Sequence, residues 1–279
     1  MNSPREQTAR LNAQYGLPHL AERVLAELDL AGKDIDALTR QDLATFEEFH
    51  LRSRKATREL AQLAELRHGM RVLDVGSGLA GPARTLADEF GCLVTGIDIS
   101  WEYCRAAQML NARLGFSHRM MIGCAQALAL PLAAGVFDAV WMQHVSMNIE
   151  DKKSMIDELG RVLIPGGRFA FYEILAGSRQ QAYFPLPWAD DPEISFLIEP
   201  EPFRRLLDSR GFSVLRWDDV TASTIEWGRR ALIHSSDHPP PLGLKLVVGA
   251  DVGLKTANLL RNLEEDRARL VQAVLIRRS

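Results

Sequence analysis

The chain has 279 residues, 47% of them hydrophobic and 25% charged, the composition of a globular protein with a substantial core. Its 33 Lys and Arg against 36 Asp and Glu leave a formal charge of −3, which argues against bulk electrostatic binding to nucleic acid or to an anionic membrane. Three cysteines (Cys92, Cys104, Cys124) without C-x-x-C spacing make neither a disulfide framework nor a zinc knuckle, no apolar run approaches the ~20 residues of a bilayer span, and nothing at the start reads as a secretory signal, so a soluble cytoplasmic protein is expected.

Residues 1–66 read as helical throughout. Leu25, Leu28 and Leu30 recur at helix-like spacing, residues 43–66 mix apolar positions with Arg, Glu and Gln, and Pro18 and Ala31-Gly32-Lys33 mark breaks between shorter helices. This predicts an N-terminal helical cap, followed by a different architecture over 67–279. There, strand-like runs at 71–75, 92–98, 119–122, 137–142 and 168–175 alternate with helical patterns at 83–90, 101–114 and 152–163, and two further strand candidates lie at 212–217 and 270–276. Such alternation implies right-handed βαβ crossovers, hence an α/β fold with a Rossmann-like, seven-stranded, mostly parallel sheet covered on both faces. Two stretches interrupt it, at about 176–202 (rich in Pro and aromatics) and 218–266 (containing His238-Pro239-Pro240-Pro241), and are expected to be lids or binding loops, with inert insertions or dimer contacts as the alternative.

Asp74-Val75-Gly76-Ser77-Gly78-Leu79-Ala80-Gly81 ends the first strand. Glycines there let the chain turn sharply into a helix and bring backbone N–H groups close to a ligand. Gly76-x-Gly78-x-x-Gly81 alone also fits a nicotinamide dinucleotide site, so the neighbours decide. Asp74 is placed to face the ammonium of an amino-acid-like ligand, Asp98 ends the next strand where a carboxylate accepts both hydroxyls of a ribose, and Pro82 suits the first turn of a helix.

With Phe137-Asp138 and the distant Leu163-Ile164-Pro165-Gly166-Gly167-Arg168 turn added, the chain resembles the class I S-adenosylmethionine-dependent methyltransferases. Within them it is similar to the small-molecule branch that holds sarcosine/dimethylglycine and phosphoethanolamine N-methyltransferases, through Gly81-Pro82-Ala83-Arg84, Phe90-Gly91-Cys92, the run from Gln143 to Lys152 and Phe184-Pro185-Leu186-Pro187-Trp188-Ala189. The resemblance implies S-adenosylmethionine as cofactor. Gly76 and Gly78 would lie along its methionine part with Asp74 orienting the amine, Asp98 would hold the ribose, Ile99 would pack on the adenine, Ala125 and Gln126 would flank the adenine edge, and Gln143 would meet the amino-acid end through its carbonyl. Cys124 stands where the family usually has an Asp receiving the adenine amino group, and Ala80 where near relatives tend to have Gly.

Methyl transfer from a sulfonium is an in-line displacement, and a protonated nucleophile needs a base near neutral pKa. His144, after the fourth strand at the carboxyl edge of the sheet, is the candidate, with a structural hydrogen bond to the lid as its other reading. The Asp–His pair of the phosphoethanolamine enzymes is here His144 and Asn148, so that pair does not carry over. Tyr15 and His50 on the cap, Asn148, Glu173 near the end of the fifth strand and Trp188 in the lid are candidate substrate contacts; packing is the alternative for Tyr15, His50, Glu173 and Trp188. The remaining histidines lack metal-ligand spacing, so no metal is expected. The expected activity is methyl transfer to an N or O atom of a small molecule, with no nucleic-acid or membrane partner and no oligomeric state implied. The rivals are a cofactor-binding scaffold that has lost transfer and a nicotinamide oxidoreductase.

Overall fold

The computed structural model describes residues 10–11, 14–179, 181–237 and 243–279. The strands are β1 (Arg71–Val75), β2 (Leu93–Asp98), β3 (Met120–Cys124), β4 (Phe137–Gln143), β5 (Leu163–Ala176), β6 (Phe212–Asp219) and β7 (Ala268–Arg277). They form one sheet in the order β3-β2-β1-β4-β5-β7-β6, parallel through the first five and antiparallel where β7 meets β5 and β6. This is the seven-stranded, mostly parallel, Rossmann-like sheet that the alternating pattern predicts. Successive residues point to opposite faces, so Val72, Trp141 and Tyr172 join one apolar layer while Leu73, Val140 and Phe171 join the other. Strand β5 begins at Leu163, which already pairs with Phe137, and the expected Pro165-Gly166-Gly167 turn is a register shift inside the β4–β5 pairing.

The helices are α1 (Leu20–Leu30), α2 (Arg40–Leu43), α3 (Ser53–Leu63), α4 (Gly81–Glu89), α5 (Trp101–Arg113), α6 (Lys152–Val162), α7 (Pro200–Ser209), α8 (Thr221–Asp237), α9 (Lys245–Val248) and α10 (Val252–Glu264). Helix α1 buries Leu20, Ala21, Val24 and Leu28 in a cluster with Tyr103, Ala106 and Leu110 of α5, whereas Leu30 is 81% exposed. The Leu25–Leu28–Leu30 spacing therefore misplaced the buried face. The continuous helical reading of 43–66 is also corrected: residues 44–52 are turns and bends, and the helix starts at Ser53.

Buried charge explains why those turns persist. Glu47 and Glu48 are 1% and 3% exposed. The Arg84 side chain of α4 is fully buried and donates from Nε to Glu47 Oε2 (3.0 Å), from Nη1 to Asn111 Oδ1 (2.7 Å) and from Nη2 to the Leu79 carbonyl (2.6 Å). Arg54 Nη2 reaches Glu47 Oε1 (2.6 Å), while Thr57 and Thr85 hydroxyls donate to the two Glu48 oxygens (2.7 and 2.9 Å). A Cβ on Gly81 would stand 2.3 Å from the Glu47 carbonyl oxygen, so the last glycine of the loop makes room for the 44–52 segment.

The two insertions differ in character. Residues 176–202 are fastened to the turn after β4, with Phe196 N donating to Met147 O (2.7 Å) and Asn148 Nδ2 to the Trp188 and Ile194 carbonyls (3.0 and 2.9 Å). The other insertion is largely helical, and its first two residues belong to β6. Leu246 and Val247 of α9 pack with α1 and α5, and Val247 O accepts from Tyr103 Oη (3.1 Å). The 238–241 run lies outside the described residues.

Removing Arg84 takes the fully buried cation from the Glu47 carboxylate and leaves it Arg54 alone. Arg84→Ala is expected to lower the unfolding free energy by about 3–5 kcal/mol in urea denaturation. Adding Glu47→Gln should recover at least half of that loss, and strict additivity of the two changes would contradict the pairing.

Candidate active site

Strand order reverses beside β1, whose neighbours β2 and β4 leave the sheet through connections on opposite sides, and a crevice opens at the carboxyl ends there. A cavity of about 1170 Å³, counting its mouth, occupies this crevice beneath the 47–50 segment.

The glycine loop forms one wall. Gly76 and Ser77 donate their N–H groups to the Ile97 carbonyl (2.8 and 2.9 Å), and Gly78 N donates to Asp98 Oδ2 (2.9 Å). Gly76 has φ +71°, and a Cβ there would lie 2.4 Å from Val145 Cγ2; at Gly78 it would lie 2.9 Å from Phe49. The loop thus has no space for side chains between the sheet edge and its two covering residues. Ala80 adopts φ +62° without being glycine, a strain of ~1 kcal/mol set against full burial of its methyl group.

Asp74 is 2% exposed and its Oδ2 has no hydrogen-bond partner. Burial first, then the charges of Asp98 and Glu48, push its carboxyl well above the usual carboxylate range. Asp98 is also raised by burial, although the N–H groups of Ser100 and Gly78 favour its charged form. Two carboxylates that resist ionising together call for a cationic ligand. Ser77 Oγ and Gln143 Nε2 are likewise buried without partners, while Gln143 Oε1 accepts from Trp141 Nε1 (2.8 Å) and Thr57 Oγ1 (3.2 Å). Ile99, Ala125 and Gln126 line the opposite wall, where Ala125 N donates to Asp98 O (2.9 Å). Exposed Cys124 donates from Sγ to the Ile99 carbonyl (3.4 Å) and does not line the cavity.

His144 borders the cavity directly after β4, in a left-handed conformation (φ +55°) uncommon outside glycine. Its ring stacks on Tyr172 (centroids 5.3 Å apart, 10° between planes) and meets His50 edge-on at 6.0 Å. Burial and then the nearby His50 hold its pKa well below the usual histidine value, so the ring is neutral, and Nε2 has no partner. His50, across the cavity, has Nδ1 3.2 Å from Leu51 O and Nε2 3.3 Å from Glu48 Oε2. Burial would raise Glu48, but the hydrogen bond and charge of His50 with the Thr57 and Thr85 hydroxyls bring it down to about 2.

Among the predicted site residues, Tyr15, His50, Gly76, Gly78, Asp98 and Ile99 line one cavity with Ala125, Gln126, Gln143, His144 and Asn148. Asp74 sits just behind the glycine loop. Two expected substrate contacts lie elsewhere. Trp188 is 2% exposed, packs in the core and donates from Nε1 to Ser195 Oγ (3.0 Å). Glu173 is fully buried beneath the turn after β4, accepting from Val145 N (3.0 Å), Ser146 N (2.9 Å) and Ser146 Oγ (2.7 Å); it braces the segment that carries His144. Tyr15 Oη donates to Asn148 Oδ1 (2.7 Å), which ties the cap to the 176–202 insertion across the cavity. Sequence reasoning missed Glu47, Glu48, Phe49 and Tyr103; two adjacent acids between phenylalanines just before a helix were the available signal. Among the described residues, no helix is long and apolar enough to cross a membrane and no group of three or more His, Cys, Asp or Glu could hold a metal.

Residues 73–171 match the family described as "Methyltransferase domain". The sarcosine/dimethylglycine N-methyltransferase of Halorhodospira halochloris is 28% identical over 170 residues, 61% of this chain and 61% of that protein. Among solved structures, the [4+2]-cyclase SpnF superposes with a TM-score of 0.65 at 23% identity, covering 93% of this chain and 94% of that one. The Haemonchus contortus phosphoethanolamine N-methyltransferase 2 complex with S-adenosyl-L-methionine superposes with a TM-score of 0.71 at 18% identity, covering 86% and 58%. Residues 73–171 therefore form a class I S-adenosylmethionine-dependent methyltransferase domain. The match spans about three fifths of the halophile enzyme's length. The orphaned oxygen of Asp74, the narrow glycine cradle and the paired carboxylates fit this cofactor, which carries an ammonium, a sulfonium and a ribose.

Meeting an ammonium drives a proton off a carboxyl whose pKa is raised in the free protein. Cofactor binding is therefore expected to release protons, and affinity to rise with pH through that raised range. Calorimetry of S-adenosylhomocysteine binding in two buffers of different ionisation enthalpy measures the release. Asp74→Asn should weaken binding and reduce the buffer dependence.

Proposed function

We propose that the chain transfers a methyl group from S-adenosylmethionine to a small-molecule acceptor in the cavity between the sheet edge and the cap. The observation that carries this reading is the pair of acids at the tips of β1 and β2, bracketing a glycine turn too tight for side chains. In this reading Asp74 takes the ammonium, partly through water, and Asp98 accepts the ribose hydroxyls beside its bonds from Gly78 and Ser100. Ile99, Ala125 and Gln126 enclose the adenine, and Gln143 meets the amino-acid end. S-adenosylmethionine supplies the methyl group on a positively charged sulfur. The protein's part is to align nucleophile and methyl carbon and to exclude water, for which the Tyr15–Asn148 bond and the 47–50 segment serve as the lid. His144 takes the acceptor's proton; burial and His50 keep it neutral for that step and also make it a weaker base than a free imidazole.

A second reading has the same site bind the cofactor without transferring its methyl group. It is supported by the full-length likeness to a protein named as a cyclase and by Asn148 standing where a pair with His144 would need an acid.

Calorimetry and labelled transfer test both. The wild type should bind S-adenosylmethionine, and Asp98→Ala should bind it at least ~100-fold more weakly, a loss of about 3 kcal/mol from hydrogen bonds to a buried charge. Fluorescence titration should show no comparable affinity for NADH. Incubation with radiolabelled methyl donor and host extract should label a small molecule. Tight cofactor binding with no labelled product would favour the second reading. With an acceptor in hand, His144→Ala should lower turnover ~10²–10⁴-fold. The wild-type rate should hold between pH 8 and 6, because the base stays neutral well below the ordinary histidine pKa.

A further inference from the structure

The cavity's charges constrain what the acceptor can be. Its lining contains no lysine or arginine among the described residues. Among the described residues, the buried cations near it are paired: Lys152 Nζ donates to the carbonyls of Ser146, Ile149 and Phe196, Arg54 and Arg84 serve Glu47 and Glu48, and Arg52 serves Glu59. Carboxylates are committed too. Glu48 faces His50, Arg54 and two threonine hydroxyls, Glu47 faces two guanidinium groups, and Asp74 and Asp98 belong to the cofactor. The Tyr15 hydroxyl and Asn148 amide are spent on one another and on two carbonyls. Leu11, Phe49 and Ile149 supply apolar surface. His144 remains, with a buried nitrogen that has no partner.

Resting on the transferase reading above, we infer that the acceptor is an uncharged, largely apolar molecule bearing a hydroxyl group, which it presents to His144. A phosphate or carboxylate would enter this site without a free cation, and an ammonium without a free carboxylate; each is strongly disfavoured in a desolvated pocket. A hydroxyl needs one acceptor, and one is present. In the transfer the O–CH₃ bond forms and the S–CH₃ bond breaks. The electron pair of the broken bond stays on sulfur, and the hydroxyl proton passes to a ring nitrogen of His144.

The test titrates protein saturated with S-adenosylhomocysteine by calorimetry, using 1-naphthol, 1-methoxynaphthalene, phosphoethanolamine and sarcosine. 1-Naphthol is expected to bind saturably, and 1-methoxynaphthalene about tenfold more weakly, because it has no proton to donate. Both charged probes should bind at least ~100-fold more weakly than 1-naphthol. In His144→Ala, or in His144→Gln should the alanine variant fold poorly, the gap between the two naphthalenes should shrink. Tighter binding of either charged probe overturns the inference, as does the absence of saturable binding by 1-naphthol. Titrating the free protein with S-adenosylhomocysteine separates the two levels. If the cofactor does not bind, the transferase reading falls and the acceptor class with it. If it binds and a charged probe wins, only the acceptor class falls.

Discussion

The buried contact between Arg84 and Glu47 sets the geometry on which the rest of the site depends. Arg84 belongs to the helix that the glycine loop opens, and Glu47 to a run of turns in a different part of the chain. A fully desolvated guanidinium and carboxylate gain little net stability over apolar replacements, but neither tolerates loss of its partner. Their joining fixes position: it seats Phe49 against Gly78 and brings Glu48 and His50 to the cavity wall. The last glycine of the loop faces the Glu47 carbonyl, so a motif read as a ligand cradle also serves as the docking point of the cap.

From that seat the charge pattern of the site follows. Glu48 is deep enough that burial alone would favour its neutral form, yet His50, Thr57 and Thr85 hold it ionised. An ionised Glu48 raises Asp74, and His50 depresses His144. One buried dyad thereby biases both ends of the cavity, toward a cation at the sheet tips and toward a neutral imidazole after β4. Glu173 contributes from below. Its carboxylate gathers two backbone N–H groups and a hydroxyl from the turn after His144, bracing a left-handed residue whose conformation costs on the order of 1–3 kcal/mol.

The sheet was legible in the sequence because buried parallel strands are short, continuous apolar runs, and 71–75, 137–142 and 168–175 have that texture. The acids at the strand tips were legible because they stand out at the end of such runs. Residues 44–52 were not. Phe46, Phe49 and their charged neighbours imitate an amphipathic helix, and burial of two adjacent glutamates depends on Arg84, far along the chain. Trp188 and Glu173 mislead for a related reason. An aromatic in a proline-rich insertion and an acid at a strand end suit a ligand as well as they suit packing, and only the fold shows that Ser195 and the 145–146 backbone already engage them.

The polar groups near the cavity divide into those that are paired and those that are not, and the division has a chemical logic. Methyl transfer from a sulfonium disperses positive charge, so a fixed cation beside the reacting atoms would oppose both binding and reaction, while a mobile carboxylate would compete as a nucleophile. Arg54, Arg84 and Lys152 are withdrawn into bonds with acids and carbonyls, and Glu47 and Glu48 are saturated by donors. Among the described residues, the buried groups without protein partners are, on the cavity wall, Ser77 Oγ, Gln143 Nε2 and His144 Nε2 and, just behind the glycine loop, Asp74 Oδ2. In the proposed reading three of them would meet the charged, polar cofactor, and the fourth, a neutral imidazole nitrogen, would take the acceptor's proton. Ligand groups that pair with them gain binding energy where it serves orientation.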